Sequence, residues 1–215
     1  MIHNLTDQSS ILSVFISEIR DKNIQSDSMR FRSNLERIGE VLGYELSKNL
    51  TYERQEVITT LGIANCDNLV QQPVLATILR AGVPLHNGLL SFFDRAENAF
   101  VSAYRKPHKN GEFEVHVEYL SSPNLEGKTL IIADPMLATG ASMFLVYKAL
   151  LNKGVPQKIH IVSAIASQEA LDSLQKKLPK STEFWVGAID EELTALSYIV
   201  PGLGDAGDLA YGPKY

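Results

Sequence analysis

Residues 1–50 carry apolar side chains at intervals of three and four positions, the spacing that places them on one face of a helix. One set runs from Ile11 to Ile19 and a second from Leu35 to Leu46, with polar residues between them. The pattern predicts two amphipathic helices in an N-terminal helical region. Ser28 precedes the second set, and we expect it to cap that helix at its N-terminus.

Beyond residue 50, short runs rich in valine and isoleucine alternate with amphipathic segments of helical length. The apolar runs, which predict buried strands, are 73–79, 99–103, 129–133, 158–166 and 183–189. The amphipathic segments, which predict helices, lie near 84–93, 140–153 and 168–178. This alternation is typical of an α/β fold, a parallel sheet with helices on both faces. In open sheets of this kind, ligands bind beyond the carboxyl ends of the strands.

Residues 101–123 depart from the alternation of strands and helices. Apolar and polar residues alternate between 115 and 119, and Asn110-Gly111 is a strong signal for a hairpin turn. We therefore expect a β-hairpin arm that projects from the sheet. Because it is an insertion within one fold, residues 1–215 are expected to form a single domain.

Composition and charge exclude several classes of function. The 215 residues include 20 Lys+Arg and 25 Asp+Glu, which gives a net charge of −5. Such a chain is a poor candidate for sequence-independent binding to nucleic acid or acidic membranes. No apolar run reaches the roughly 18 residues of a membrane span, and the N-terminus lacks the features of a secretory signal. We expect a cytoplasmic protein with neither nucleic-acid nor membrane partners.

The five histidines and the single cysteine do not form a metal-ligand pattern. We expect the histidines at surface or arm positions, and we expect no metal bound directly by protein side chains.

The loop after the third predicted strand carries the most informative motif. Asp134 follows the strand directly, and Thr139-Gly140-Ala141-Ser142 opens the next predicted helix. Free N–H groups at a helix N-terminus, together with two hydroxyls, suit a phosphate monoester. Asp134 could accept hydrogen bonds from sugar hydroxyls beside that phosphate. An ordinary helix cap by Thr139 or Ser142 explains the same residues, so this loop alone leaves both interpretations open.

Two further loops could complete a binding site. In Arg80-Ala81-Gly82, a cation precedes small residues whose backbone amides could meet a pyrophosphate, although a solvent-facing arginine in an ordinary turn is the alternative. The glycine spacing of 201–208 matches a dinucleotide fingerprint, but no βαβ unit follows it in this sequence. A polar loop whose backbone could bind the edge of a flat heterocycle remains, against the alternative of an unstructured tail.

Together these loops resemble the motifs of the uracil phosphoribosyltransferase family, the uracil branch of the type I phosphoribosyltransferases. The family's N-terminal segment, pyrophosphate loop, Tyr-Arg pair of the arm, phosphoribosyl-pyrophosphate (PRPP) loop and uracil loop are matched by 19–22, 79–82, 104–105, 134–142 and 201–208. The motifs occur in the family's order over nearly the whole chain. Pro135, where other branches carry a second acid, is the pattern of the uracil branch.

The resemblance implies a fold, a reaction and its ligands. The fold is a type I phosphoribosyltransferase-like parallel sheet flanked by helices, with N-terminal helices and a β-hairpin arm. The reaction converts uracil and PRPP to UMP and pyrophosphate, a step of pyrimidine salvage. Mg²⁺ would arrive bound to PRPP, mostly through substrate oxygens and water. The family also suggests a homodimer or higher homo-oligomer, with GTP as a candidate effector.

The resemblance also implies a role for each matching residue. Those implied for PRPP are Arg80, Arg105, Asp134, Pro135, Met136, Leu137, Ala138, Thr139, Gly140, Ala141, Ser142 and Asp205. Those implied for uracil, in the base-binding segment 197–215, are Ile199, Gly204, Asp205 and Ala206. Arg80 and Arg105 would stabilise the leaving pyrophosphate. Asp205 would assist deprotonation of uracil N1 or stabilise the ribose cation, and the sequence leaves both roles open.

Three other functions are open at this stage. A regulatory RNA-binding protein on the same fold would need a basic face, which the scattered basic residues and the net charge of −5 disfavour. An enzyme for hypoxanthine or orotate is disfavoured by the loop 201–208. A catalytically silent relative is disfavoured because Arg80, Asp134 and Asp205 are all present.

Overall fold

The N-terminal region forms two helices, as predicted. The structure is a computed structural model that describes residues 1–107 and 113–213. Within these ranges, the side chains of 104–107 and 113–116 are not described. A short strand, β1 (Ile2–Asn4), and a 3-10 turn precede α1 (Ile11–Arg20) and α2 (Ser28–Ser47). The carboxylate of Asp27 accepts hydrogen bonds from the N–H groups of Met29 and Arg30. The predicted cap was therefore wrong, because Asp27 occupies the N-cap position and Ser28 is the first residue of the helix.

An antiparallel hairpin that the sequence patterns did not predict follows α2. Its strands are β2 (Tyr52–Ile58) and β3 (Ile63–Leu69), which pair only with each other among the described strands. Every residue of β2 is exposed. Ile58, the last residue of β2, is 88% exposed, and Leu61, in the turn, is 99% exposed. The hairpin thus presents apolar side chains to its surroundings and contributes little to the core.

The remainder of the chain builds a central, mostly parallel sheet. Its elements are β4 (Val74–Leu79), α3 (Val83–Phe92), β5 (Glu97–Pro107), β6 (Phe113–Ser121), β7 (Thr129–Ala133), β8 (Met136–Leu137), α4 (Ala141–Leu150), β9 (Lys158–Ser167), α5 (Gln168–Lys177), β10 (Glu183–Asp190), β11 (Glu192–Leu193), β12 (Ile199–Val200) and α6 (Ala206–Tyr211). The order is β1-β10-β9-β7-β4-β5-β6, with β8 added beside β9. The pair β5–β6 is antiparallel and the other neighbours are parallel.

Helices cover both faces of this sheet, which confirms the predicted α/β class. Alternate residues of each strand point to opposite faces, so Leu75 and Ile131 pack with α1, α2 and α3. Their neighbours Ala76 and Ile132 pack with α4 and α5 on the other face. Burial on both faces explains why the strands appear in the sequence as nearly continuous apolar runs. None of the helices in the described ranges combines the length and hydropathy that a membrane span requires.

The predicted hairpin arm is present, but it begins later than expected. β5 pairs with β4 as far as Ser102, so the first part of the hairpin is an ordinary strand of the sheet. A register shift between Ser102 and Ala103 separates this part from the rest of the β5–β6 pairing. The predicted turn at Asn110-Gly111 lies outside the described residues.

Candidate active site

The segment 134–142 leaves the carboxyl end of β7 and is held firmly against the neighbouring strand. The Asp134 N–H donates to the carbonyl of Val162 at 3.1 Å, and Met136 and Leu137 form β8 beside β9. The buried Ser167 hydroxyl donates to the Ala138 carbonyl. The same oxygen accepts the Ala170 N–H at 2.9 Å and caps α5. This loop therefore has a fixed backbone path, in which Pro135 and Leu137 are buried.

The segment ends at Gly140, the N-cap residue of α4. Its φ of +74° lies in the left-handed region, and a Cβ there would stand 2.8 Å from Cγ of Leu174 on α5. Only glycine satisfies both constraints without a shift of neighbouring atoms. Glycine has no side chain to cap the helix, and the Thr139 hydroxyl reaches only the Ala141 N–H, at 3.4 Å. The first turn of α4, beginning at Ala141 and Ser142, has polarised N–H groups of the kind that can bind an anion.

Arg80 lies at the end of β4, the strand that pairs with β7. A cis peptide bond joins it to Leu79, and its side chain is 42% exposed. The guanidinium donates to the Gly212 carbonyl at 3.1 Å and lies 3.5 Å from Oδ1 of Asp208. The predicted pyrophosphate loop therefore contacts the C-terminal segment directly. Arg80 is exposed, as the alternative of a solvent-facing arginine in a turn also expects, so these contacts do not decide between the two interpretations.

The C-terminal segment is folded, which overturns the alternative of an unstructured tail. Ile199 is buried in β12, and Gly204 adopts a φ of +94°. Asp205 is the N-cap of α6, and its Oδ1 accepts the N–H groups of Gly207 and Asp208 at 2.8 and 3.0 Å. Ala206 begins that helix. The carboxylate of Asp205 is exposed yet held in one orientation by these two hydrogen bonds.

A buried aspartate that the sequence patterns did not single out anchors the same segment. Asp190, at the end of β10, accepts hydrogen bonds from Arg20 on α1 and from the N–H of Gly202. A signal was present in the sequence, because Asp190 follows an apolar run just as Asp134 follows 129–133. Its partner could not be identified, since Arg20 lies 170 positions away.

The three predicted loops meet at one edge of the sheet. The C-terminal segment is held at Asp190, after β10, and at Arg80, after β4. In the sheet order β10-β9-β7-β4, the strand that leads to Asp134 lies between those two anchors. The segment that contains Asp205 thus crosses the edge at which α4 begins. The backbone of Arg105 belongs to β5, next to β4, but its side chain lies outside the described residues.

The prediction that the histidines lie at surface or arm positions was wrong for two of them. His86 and His160 are 2% and 0% exposed. His160 Nδ1 accepts the indole N–H of Trp185 at 3.1 Å, and burial lowers the pKa of His160 to about 4. In the part of the chain that the structure describes, no group of three or more His, Cys, Asp or Glu side chains could hold a metal ion.

Comparison with known proteins identifies the family to which this arrangement belongs. The family model for uracil phosphoribosyltransferase matches residues 6–213. The chain is 55% identical over 214 residues to a uracil phosphoribosyltransferase of Porphyromonas gingivalis, covering 100% of this chain and 99% of that protein. A solved structure from Aquifex aeolicus superposes with a TM-score of 0.87 and 32% identity, covering 99% of this chain and 98% of that one.

A more distant structure shares the fold alone. The hypoxanthine phosphoribosyltransferase of Staphylococcus aureus gives a TM-score of 0.50 at 17% identity, covering 75% of this chain and 76% of that one. The phosphoribosyltransferase-like sheet that the motifs implied is therefore confirmed. With the family match over nearly the whole sequence, and its three motif loops assembled at one sheet edge, the chain belongs to the uracil phosphoribosyltransferase family.

Proposed function

We propose that the chain transfers the phosphoribosyl group of PRPP to N1 of uracil and releases pyrophosphate, forming UMP. One observation carries this proposal beyond the family match. The glycine-capped start of α4, the cation of Arg80 and the carboxylate of Asp205 converge on a single edge of the sheet. These groups supply an anion site, a counter-charge for a leaving group and a carboxylate beside the base segment.

The PRPP loop would hold the 5-phosphate and the ribose. The residues from Ala138 to Ser142 lie just before and at the start of α4, where the helix dipole favours a dianion. Gly140 lets that turn pack closely against Leu174 of α5, where a Cβ would collide. Asp134, directly after β7, would accept hydrogen bonds from the ribose hydroxyls. Binding by backbone groups requires the rigid loop that Ser167 provides.

Arg80 and Arg105 would stabilise the charge that develops on pyrophosphate as its bond to the ribose breaks. Stabilisation of developing charge by preoriented groups is commonly the largest contribution to catalysis. The contacts of Arg80 with Asp208 and Gly212 hold its guanidinium near the base segment before substrate arrives. For Arg105, the support is the position of its backbone in β5, three residues beyond Ser102, which pairs with Leu79 next to Arg80.

Mg²⁺ fits this site as an ion carried by PRPP. The described residues contain no cluster of acidic or histidine ligands that could hold a metal alone. A hard cation that is held by phosphate oxygens and water needs no such cluster. When bound with PRPP, the ion would neutralise part of the pyrophosphate charge.

Uracil would be bound by backbone groups at Ile199, Gly204 and Ala206, with Asp205 close to both substrates. The two hydrogen bonds that fix the Asp205 carboxylate at the start of α6 preorient it for either of its proposed roles. One is assistance in deprotonating N1, and the other is stabilisation of the ribose cation. Correct placement of N1 behind C1 of the ribose adds a large proximity effect.

A panel of bases tests the reaction. The purified protein is incubated with Mg²⁺, PRPP and one of uracil, cytosine, hypoxanthine or orotate, and pyrophosphate and nucleotide are quantified. We expect UMP from uracil and no nucleotide from the other bases, with omission of PRPP as the control. Nucleotide formed from another base would contradict the specificity. No turnover with any base would contradict the reaction, and RNA binding would then test the regulatory alternative.

We further propose that the exposed β2–β3 hairpin contacts a second copy of the chain. A two-stranded hairpin is marginally stable alone in water, and this one exposes Ile58 and Leu61 almost completely. Twofold homodimers are the commonest oligomers of soluble proteins, and a dimer formed through the hairpin would cover these side chains. GTP as an effector and a cytoplasmic location stay predictions.

Light scattering during gel filtration tests the hairpin contact. We expect a dimer or a larger assembly for the unmodified chain and a shift towards monomer for Leu61→Asp. Val155→Asp is the matched control, because Val155 is also exposed, at 62%, but lies outside the hairpin. A monomeric unmodified chain, or equal shifts in both variants, would contradict the proposal.

A further inference from the structure

An ion pair between Arg20 and Asp190 holds the turn that contains Gly202. Arg20 is the last residue of α1, Asp190 the last residue of β10, and Gly202 lies between β12 and α6. The Arg20 side chain is 21% exposed and that of Asp190 is 6% exposed. The sequence motifs gave neither Arg20 nor Asp190 a role in the reaction. Neither residue lies in the three loops that are proposed to bind the substrates.

The pair is bidentate and also occupies both backbone polar groups of Gly202. Nη1 and Nη2 of Arg20 donate to the two carboxylate oxygens of Asp190 at 2.8 and 2.9 Å. Nη1 donates in addition to the Gly202 carbonyl at 3.2 Å. Oδ2 of Asp190 accepts the Gly202 N–H at 3.0 Å. Gly202 is therefore held at its N–H and at its carbonyl by two side chains that also hold each other.

Gly202 lies where the turn that is proposed to bind uracil leaves no room for a side chain. Gly202 has a φ of +56°, and a Cβ there would stand 2.1 Å from the Ile199 carbonyl oxygen. Ile199 and Gly204, two of the backbone groups proposed to contact the base, lie on either side of it. A displacement of Gly202 would change the distance between those groups, while the PRPP loop on α4 would be unaffected.

We infer that Arg20 and Asp190 are positioning residues for base recognition, which set the geometry of the turn 199–204 without touching a substrate. The inference rests on the proposed function, since it presumes that this turn binds uracil. Charge-assisted bidentate hydrogen bonds are among the strongest in proteins and are directional. Lysine would keep the positive charge but cannot reproduce the two-pronged hydrogen bonding of the guanidinium.

Steady-state kinetics of three variants test this role. We expect Arg20→Ala to raise KM for uracil about tenfold or more and to change KM for PRPP by less than about twofold. Arg20→Lys and Asp190→Asn should give smaller increases in the same direction, because each keeps part of the network. The discrimination between uracil and cytosine should fall together with the affinity for uracil.

Arg30→Ala is the matched control. Arg30 also forms a bidentate pair, with Glu18 at 2.7 and 2.8 Å, but it joins α2 to α1. We expect this control to leave both KM values unchanged. Hydrogen exchange without substrates supplies a second measurement, in which peptides that cover 199–204 should exchange faster in Arg20→Ala than in the unmodified chain or in Arg30→Ala.

The outcomes separate this inference from the proposed function. Unchanged KM for uracil in folded Arg20 variants, or an equal rise in KM for PRPP, would overturn the positioning role. Should Arg20→Ala fail to fold because Asp190 is left buried without its partner, Arg20→Lys and Asp190→Asn decide by the same criteria. If the unmodified chain does not use uracil, the proposed function fails, whereas the exchange measurement still decides whether the pair holds the turn.

Discussion

The two edges of the central sheet differ in the contacts and the exposure of their polar side chains. At the amino edge, polar side chains from β1, β9 and β10 bind one another. His3 stacks on Trp185 with ring centroids 3.8 Å apart, and the Trp185 indole donates to His160. At the carboxyl edge, the Arg20–Asp190 pair is largely buried, but Arg80 and Asp205 lie in exposed loops, where Arg80 contacts Asp208 and Gly212.

At the amino edge, the partners of Glu183 outweigh the effect of its burial on its pKa. Glu183 accepts hydrogen bonds from Lys158 and Asn49 at 2.9 and 2.8 Å, and Nε2 of His3 lies 3.1 Å from it. Burial alone would raise the pKa of Glu183, but these partners lower it to about 2. The polar groups of the amino edge thus bind one another, whereas the carboxyl edge combines one buried pair, Arg20–Asp190, with exposed polar groups in its loops. This comparison predicts that stability and activity can be changed separately.

The largest expected effect is on turnover, at the carboxyl edge. Asp205→Asn should lower kcat by about 10²–10³-fold while PRPP still binds, as measured by calorimetry. Asparagine caps helices as well as aspartate does, so the free energy of unfolding should change little. Asp27→Asn, at the N-cap of α2, is the matched control and should leave kcat unchanged. Unaltered turnover in Asp205→Asn would remove this carboxylate from the mechanism.

The next effect is on stability, at the amino edge. Burial, reinforced by the charge of Lys158, lowers the pKa of His160 from 6.5 to about 4. Between these values the unfolded chain binds a proton that the folded chain does not. The free energy of unfolding should therefore fall as the pH is lowered from 6.5 to 4, by about 3 kcal/mol at most for this residue.

Urea unfolding across this pH range checks the prediction. His160→Gln has no titrating ring, so its stability should depend less steeply on pH, and its kcat for uracil at pH 7 should be unchanged. His86, whose pKa burial also lowers, contributes a slope of the same sign that persists in the variant. Identical pH slopes in the two proteins would contradict the assignment to His160.

The smallest effect is on substrate affinity. Asp134→Ala should raise KM for PRPP about tenfold, because a hydrogen bond to a charged group is lost, with little change in KM for uracil. Asp172→Ala, on the exposed face of α5, serves as the control. An unchanged KM for PRPP would contradict the ribose-binding role of Asp134.

The sequence identified elements that are buried on both faces and missed those that are not. β7 was predicted with its observed ends because Thr129–Ala133 is a continuous apolar run. The β2–β3 hairpin was missed because none of its strands alternates apolar and polar residues against a core. His160 was misplaced because its hydrogen-bond partner, Trp185, is 25 positions away. A single sequence does not reveal which distant side chain satisfies a buried polar group.

The site was predictable to the extent that it depends on strand ends. Asp134, Arg80 and Asp205 were proposed as candidates because each stands in a loop with a recognisable local pattern. Asp190 was not, since its importance arises from a contact with Arg20 that only the folded chain creates. The contact between Arg80 and Gly212 likewise depends on the path of the C-terminal segment over the sheet edge.

The two hydrogen bonds of the Ser167 hydroxyl link the local unfolding of α5 to that of the PRPP loop. Because one oxygen both caps α5 and donates to Ala138 in the PRPP loop, neither can unfold without losing a bond that the other needs. The packing of Gly140 against Leu174 joins the same two elements a second time. Loop and helix should therefore behave as one cooperative unit, so that a segment irregular in shape has the local stability of the core.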